Sequence, residues 1–360
     1  MPRPSDVADL ILTDVSPIGP VLIMGAGSIG CYLGGRLALS GHDVHFVGRP
    51  RVLDQLREHG LTITEPDGTS ATLPADMLSL HEDVPSGLGI SLVLMCVKSS
   101  ATPRAATALA RALPIGTLVL CMQNGLHNAE VARSVAARLR FLSGMVPFNV
   151  AEIGPGTFLR GSGGSLALEE DDVTNAWLPT LSAAGLPATT HKDIRAVQWG
   201  KLLLNLNNPV NALSGLPLRD ELLEPDLRGT TALLIEEALS VLASARQRTA
   251  KVTSLPSGWL PRLMRLPTPV FKILAARMLS IDPRARSSMA DDLALGRRTE
   301  IGELCGEVVK LAKSVGRRAP RNEKMLGLIR YVELTALAVG SPERGPADPA
   351  ELRKTIESAI

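Results

Sequence analysis

The chain has 360 residues, enough for roughly two domains at about 150 residues each. Its 38 Lys and Arg against 36 Asp and Glu leave a formal net charge of +2, which argues against the dense cationic surface of a nucleic-acid binder. Hydrophobic residues at 45% exclude a disordered chain, and an aromatic content of 3% argues against a platform for stacked bases.

Residues 1–18 carry acidic groups and no long apolar stretch, so they read as a loosely held extension and not as a signal peptide. No apolar run reaches the roughly eighteen residues that a membrane span needs. A cytoplasmic protein is expected. The first strand is Val21–Met24, apolar on both faces as a central parallel strand should be. Gly25-Ala26-Gly27-Ser28-Ile29-Gly30 follows at once and opens a helix that runs to Ser40-Gly41. A second strand covers His42–Val47, ends at Gly48-Arg49, and leads into a helix over Pro50–His59. Leu92–Val97, Leu118–Met122 and Phe141–Met145 read as further strands, with helices over Thr102–Leu113 and Asn128–Leu139 between them. Strand and helix alternate, which predicts an α/β doubly wound parallel sheet. Gly156–Arg160 and Ser165–Leu168, joined by a Gly/Ser turn, read as a hairpin appended to it.

From Asp193 onward the strand signals stop. Leu222–Arg246 has apolar residues at helical spacing, and Ile301, Leu304, Val308, Leu311 and Val315 form a second stripe. Pro256–Pro269 reads as an irregular connector, and Ser341–Pro349 as a linker to a short helix over Ala350–Ile360. The expected organisation is an extension over 1–18, a Rossmann-type domain over 19–191, an all-α domain over 192–340, and a linker with terminal helix over 341–360. The Leu-rich helices fit a core or a homodimer interface equally. Cys31, Cys96, Cys121 and Cys305 form no CxxC pair and read as free thiols of a reducing compartment. The six histidines show no metal-ligand spacing, so no metal is expected.

The GxGxxG run gains meaning from its place between a strand and a helix. Gly25 permits the tight turn, Gly27 lets backbone approach a pyrophosphate, and Gly30 lets helix and strand pack closely. Ala26, Ser28 and Ile29 complete the loop at the helix N-terminus, whose free amides and dipole favour phosphate. The second strand ends without the carboxylate that would accept from a ribose 2′-hydroxyl. Arg49 there suits a 2′-phosphate, which predicts NADP(H); Arg49 and Arg51 as solvated loop cations is the alternative.

Lys201, Asn205 and Asn208 fall at i, i+4 and i+7 on an otherwise Leu-rich segment. On a helix they share one face, and burying them is costly unless they line a wet cleft or find partners. A desolvated Lys lowers its pKa and suits proton donation near neutrality. A snorkelling Lys at an Asn-rich helix end gives the same pattern.

In order along the chain stand GAGSIG, Cys96-Val97-Lys98, Gln123-Asn124-Gly125, Trp199-Gly200-Lys201-Leu-Leu-Leu-Asn205, Ser287-Ser288-Met-Ala-Asp-Asp, and Gly296-Arg-Arg-Thr-Glu300. In these motifs the sequence resembles the ketopantoate reductase (2-dehydropantoate 2-reductase) family from Val21 to Tyr331. The resemblance implies a Rossmann-type domain followed by a helical domain like that of 6-phosphogluconate dehydrogenase. It implies NADPH-dependent reduction of a small 2-keto acid, ketopantoate first, as a step of pantothenate synthesis. By the same resemblance Lys201 is the general acid and Glu300 the acidic residue that works with it. Ser288 is implied as a ligand of the substrate carboxylate, and Asn205 and Asn208 as residues facing the substrate. Lys98 and Asn124 are implied at the ribose and nicotinamide end of the cofactor. Each has a plainer alternative: Ser288 with Asp291 as a helix capping box, Glu300 as a first-turn carboxylate, and Lys98 and Asn124 as loop residues.

Some positions depart from the family pattern. The stretch between Asn208 and Ser288 is long, Gly302 follows Thr-Glu-Ile, Arg160 stands in the expected hairpin, and the QNG loop continues Leu126-His127. These leave the substrate open to another branched 2-keto acid. A non-catalytic NADP(H) sensor is the alternative of another class.

Overall fold

Residues 19–251, 255–279, 285–339 and 347–360 are described by the computed structural model of the protein. The expected extension over 1–18 and most of the expected linker over 341–349 lie outside them.

Short apolar runs that are buried on both faces build the main sheet. Its strands are β1 (Val21–Met24), β2 (Val44–Val47), β5 (Ser79–His81), β6 (Leu92–Met95), β7 (Leu118–Cys121), β8 (Arg140–Met145), β11 (Leu166–Glu169) and β12 (Ala188–His191). They lie in the order β12-β11-β8-β7-β6-β1-β2-β5. The six strands from β8 to β5 are parallel, and β11 runs antiparallel to β8. Helices α1 (Ser28–Leu39), α2 (Pro50–His59), α3 (Thr102–Ala112), α4 (Asn128–Val135) and α5 (Asp172–Ala183) accompany this sheet. Two apolar clusters fill its faces, one around Leu33, Phe46 and Trp177, the other around Val93, Val119 and Phe141. The doubly wound sheet expected from the alternation is present, and β2 begins at Val44, two residues later than expected.

The predicted hairpin is not. A second, four-stranded sheet has the order β4-β3-β10-β9, from β3 (Leu61–Thr64), β4 (Ser70–Leu73), β9 (Val150–Gly154) and β10 (Thr157–Arg160). β10 pairs antiparallel with β9 and parallel with β3, whereas β11 belongs to the main sheet. The reason is burial. Leu166, Ala167 and Leu168 are at most 3% exposed and find two covered faces only between β8 and β12. Gly161–Gly164 is therefore a crossing between sheets and not a tight turn.

Among the described residues beyond β12 every element is helical: α6 (Ile194–Asn205), α7 (Asn207–Ser214), α8 (Leu218–Leu223), α9 (Pro225–Ser244), α10 (Leu260–Met264), α11 (Thr268–Leu274), α12 (Ala276–Leu279), α13 (Ser288–Ala294), α14 (Cys305–Ser314), α15 (Pro320–Val339) and α16 (Pro349–Glu357). The stripe of Ile301 to Val315 is a short 3₁₀ turn, Ile301–Glu303, followed by α14. The Pro-rich 256–269 stretch is largely helical, a second correction. Pro261 and Pro269 stand in the first turns of α10 and α11, where a missing N–H costs nothing. Arg228 on α9 secures this region. Its buried guanidinium stacks 4.4 Å above the Phe271 ring and donates to the carbonyls of Leu222, Met264 and Leu266. The chain end docks as well: Leu352 and Ile356 on α16 enter the helical core, and Arg353 pairs with Asp226 at 2.9 Å. No helix among the described residues is long and apolar enough to cross a membrane.

Candidate active site

The glycine-rich loop links β1 to α1, and its geometry explains each glycine. Gly25 has φ +111°, and a Cβ there would lie 2.7 Å from the Val97 amide nitrogen. A Cβ on Gly30 would lie 2.1 Å from the Gly25 carbonyl oxygen, so helix and strand meet there without room for a side chain. A Cβ on Gly27 would meet nothing within 4 Å, leaving open space over the helix end. The amides of Gly25 and Ala26 are both bonded to the Val47 carbonyl, which fixes the turn on β2. Gly27 caps α1 with no side-chain bond, and the first-turn amides of Ser28, Ile29 and Gly30 have no intrahelical acceptor. Open space over free amides at a positive helix end fits a dinucleotide pyrophosphate. Arg49 caps α2 just beyond β2; its carbonyl accepts from the Val52 and Leu53 amides, and its exposed side chain has no hydrogen-bond partner among the described residues.

Lys98 follows β6 and Asn124 follows β7, both at the carboxyl edge where open α/β sheets bind ligands. Both reach across to the helical half. The Lys98 ammonium donates to Asp292 Oδ2 at 2.7 Å and to the Arg298 carbonyl at 3.2 Å. Asn124 Nδ2 donates to Glu300 Oε2 at 3.2 Å, while the Ser99 amide donates to Glu300 Oε1 at 3.3 Å. Ser99 Oγ closes the ring by donating to the Asn124 carbonyl at 2.9 Å. Glu300 precedes a short 3₁₀ turn but makes no capping bond, so its carboxylate serves the opposite loops instead.

Lys201 projects from α6, which starts on the Asp193 side chain accepting from the Ala196 amide. Its ammonium donates to the Val146 carbonyl. Solvent reaches part of the side chain, yet the ammonium itself is sunk among protein atoms. That burial pushes its pKa down to about 8, against the opposing pull of Glu300.

The polar stripe is not on one helix. α6 ends at Asn205, and α7 starts at Asn207. Asn207, turned inward, pins the junction: its Nδ2 donates to Glu221 Oε2 at 2.9 Å and its Oδ1 accepts from Thr231 at 2.9 Å. Burial pushes the Glu221 carboxyl up to about 8. The junction still brings Asn205 and Asn208 to one cavity, lined also by Asn124, Ser288, Met289, Asp292, Glu300 and Leu304. An adjoining cavity holds Lys201 and Asn205 with Gln123, Asn124, Gly125 and Gln198. The capping role expected of Ser288 belongs to Ser287, whose Oγ accepts from the Ala290 amide at 3.2 Å. Ser288 is thereby left exposed on the cavity wall.

The structure thus gathers Lys201, Asn205, Asn208, Ser288, Glu300, Lys98 and Asn124 around one cleft, with the glycine loop and Arg49 along the sheet edge. Sequence reasoning missed Ser99, Asp292 and the Val146 carbonyl. Asp292 stood within a quoted motif; a backbone carbonyl has no sequence signal.

Two family models match in succession: "Ketopantoate reductase PanE/ApbA" over residues 21–172, and its C-terminal counterpart over residues 193–333. The 2-dehydropantoate 2-reductase of Halobacterium salinarum is 29% identical over 329 residues, covering 87% of this chain and 98% of its own. That of Mesorhizobium japonicum is 28% identical over 338 residues, covering 86% and 96%. Among solved structures, a PanE/ApbA family ketopantoate reductase from Ralstonia eutropha JMP134 superposes with a TM-score of 0.74 at 30% identity, covering 88% of this chain and 99% of that one. Matched in order through both halves and along nearly the full length of these relatives, the chain belongs to the ketopantoate reductase family.

Proposed function

We propose that this oxidoreductase uses NADPH to reduce a small 2-keto acid, and that ketopantoate is the substrate, giving pantoate for pantothenate synthesis. The observation that carries the reading is Lys201, a desolvated ammonium with its pKa near 8, in one cleft with Glu300 and the neutral polar side chains of Asn205, Asn208 and Ser288. The names of the relatives support the choice of substrate.

Residues 19–191 serve as the cofactor domain and residues 192–340 as the substrate domain. Gly25, Ala26, Gly27, Ser28, Ile29 and Gly30 form the cradle for the pyrophosphate, and Arg49 pairs with the 2′-phosphate. Lys98 and Asn124 meet the ribose and nicotinamide end. Bound dihydronicotinamide supplies the hydride that reduces the ketone carbon. Lys201 then carries the protein's part of the chemistry. A cation beside the ketone oxygen stabilises the negative charge that develops there, and its proton passes to that oxygen. Glu300 raises the proton affinity of Lys201 and holds Asn124 in place. Ser288, Asn205 and Asn208 offer donors to the substrate carboxylate and hydroxyl without adding charge. Four free thiols fit the reducing cytoplasm.

The cofactor assignment has its own test. With ketopantoate as substrate, kcat/KM for NADPH is expected to exceed that for NADH, and Arg49→Glu is expected to reverse the order. A wild-type ratio below one refutes the role of Arg49.

A further inference from the structure

The loop after β7 carries Asn124 at one end and His127 at the other. Between them Leu126 is 3% exposed and belongs to the apolar core of the helical half, with Trp199 and Leu304. Arg195 on α6 donates to the Leu126 carbonyl at 2.8 Å. The His127 ring lies between two carboxylates from different parts of the fold. Nδ1 is 2.7 Å from Glu130 Oε2 on α4, and Nε2 is 3.0 Å from Glu307 Oε2 on α14. An ionised carboxylate only accepts, so a ring nitrogen facing one must donate. With both nitrogens so placed, the two carboxylates favour the imidazolium form of the ring over the neutral one, against the Arg195 guanidinium 3.3 Å from Nδ1.

Other charges face the ring and its two carboxylates. Arg195 pairs with Glu130 and lies 3.3 Å from His127 Nδ1, and Lys310 lies 3.5 Å from Glu307 Oε1. Glu303 faces the same loop, 3.2 Å from where a Gly125 Cβ would stand. Its carboxyl is pushed up by burial and by Glu307 and Glu300. Glu307 itself is only 10% exposed in its side chain, so its attraction for the ring is weakly screened.

We infer that His127 is a positioning residue: as an imidazolium held between Glu130 and Glu307, it clamps the Asn124 loop onto the helical half and so fixes the Asn124–Glu300 contact in the cleft. The kinetic consequence rests on the reductase reading; the clamp itself does not. The bond to Glu307 raises the pKa of His127 above its ordinary value, with burial opposing and Glu130 adding to the rise. The sign follows. The clamp is complete below the ordinary histidine value and is released as pH rises through the raised one, when a ring lone pair comes to face a carboxylate.

Two measurements on the full-length protein test this. In an NMR titration of the His127 ring, the wild-type midpoint is expected above the ordinary value of about 6.5, and Glu307→Gln is expected to lower it. A wild-type midpoint at or below that value overturns the clamp, whether or not the protein reduces any keto acid. In steady-state kinetics His127→Gln is expected to lower kcat about tenfold and to flatten the pH dependence between neutrality and the Lys201 limb. A His127→Gln enzyme with wild-type kcat and pH profile also overturns it. Absence of turnover in the wild type refutes the reductase reading and leaves the ring titration to decide the clamp.

Discussion

Lys201→Ala is expected to lower kcat by roughly 10²–10⁴-fold, the usual worth of a positioned general acid, while NADPH still binds. Among the described residues the glycine loop that would hold the cofactor makes no hydrogen bond to the Lys201 ammonium, which donates to the Val146 carbonyl. Binding and chemistry therefore separate. The wild-type pH profile is expected to carry the same signature. With Lys201 as the acid, catalysis needs the protonated amine, so the rate is expected to fall above the Lys201 pKa of about 8, and the shallower decline between neutrality and that limb belongs to the His127 clamp. Lys201→Arg divides the two contributions of the residue. Arginine keeps the charge but does not release its proton, since it titrates above about 12. An arginine variant as slow as the alanine variant assigns the effect to proton transfer; one that recovers most of the rate assigns it to charge. Near-wild-type kcat in Lys201→Ala refutes Lys201 as the acid.

The glycine loop gives the second large effect, and it divides in two. Gly30→Ala places a Cβ 2.1 Å from a backbone carbonyl that is fixed by the turn on β2. Helix and strand must part, at a cost of roughly 1–3 kcal/mol, and the phosphate cradle goes with them. Gly27→Ala places its Cβ in open space and should change stability by less than about 1 kcal/mol. It nevertheless fills the open space through which a pyrophosphate would have to approach the first-turn amides. Thermal melts with NADPH titration separate the two. Gly30→Ala is expected to lose stability and affinity together, and Gly27→Ala to lose affinity alone. A Gly27→Ala protein that binds NADPH as tightly as the wild type contradicts a cofactor at this loop.

What could be read from the sequence was local. The strand, glycine loop and helix of Val21–Leu39 announce themselves because their chemistry lies within twenty or so consecutive residues. The Lys201, Asn205 and Asn208 spacing indicated a shared face, and the break at Leu206 did not disturb that, because Asn207 turns inward and leaves its neighbours in the cleft. Most failures arose where pairing is set by distant chain. β11 reads as the partner of β10 until the main sheet claims it for burial. β3 and β4 went unnoticed although Leu61-Thr-Ile63-Thr alternates and Asp67-Gly68 supplies a turn. Lys98 meets Asp292 across 194 residues, and His127 meets Glu307 across 180. No spacing rule reaches that far. The Pro-rich stretch looked irregular in part because a residue that holds it, Arg228, lies outside it.

The central claim is that the cleft reduces ketopantoate with NADPH. NADPH absorbance followed with purified protein, ketopantoate, and close 2-keto acids lacking its hydroxyl tests this directly. Rapid oxidation with ketopantoate, with kcat/KM at least about tenfold above the hydroxyl-free analogues, is the predicted result, because a site built to bond a substrate hydroxyl rejects a ligand without one. Oxidation that is faster with the analogues, or absent with every keto acid while NADPH binds, would contradict it.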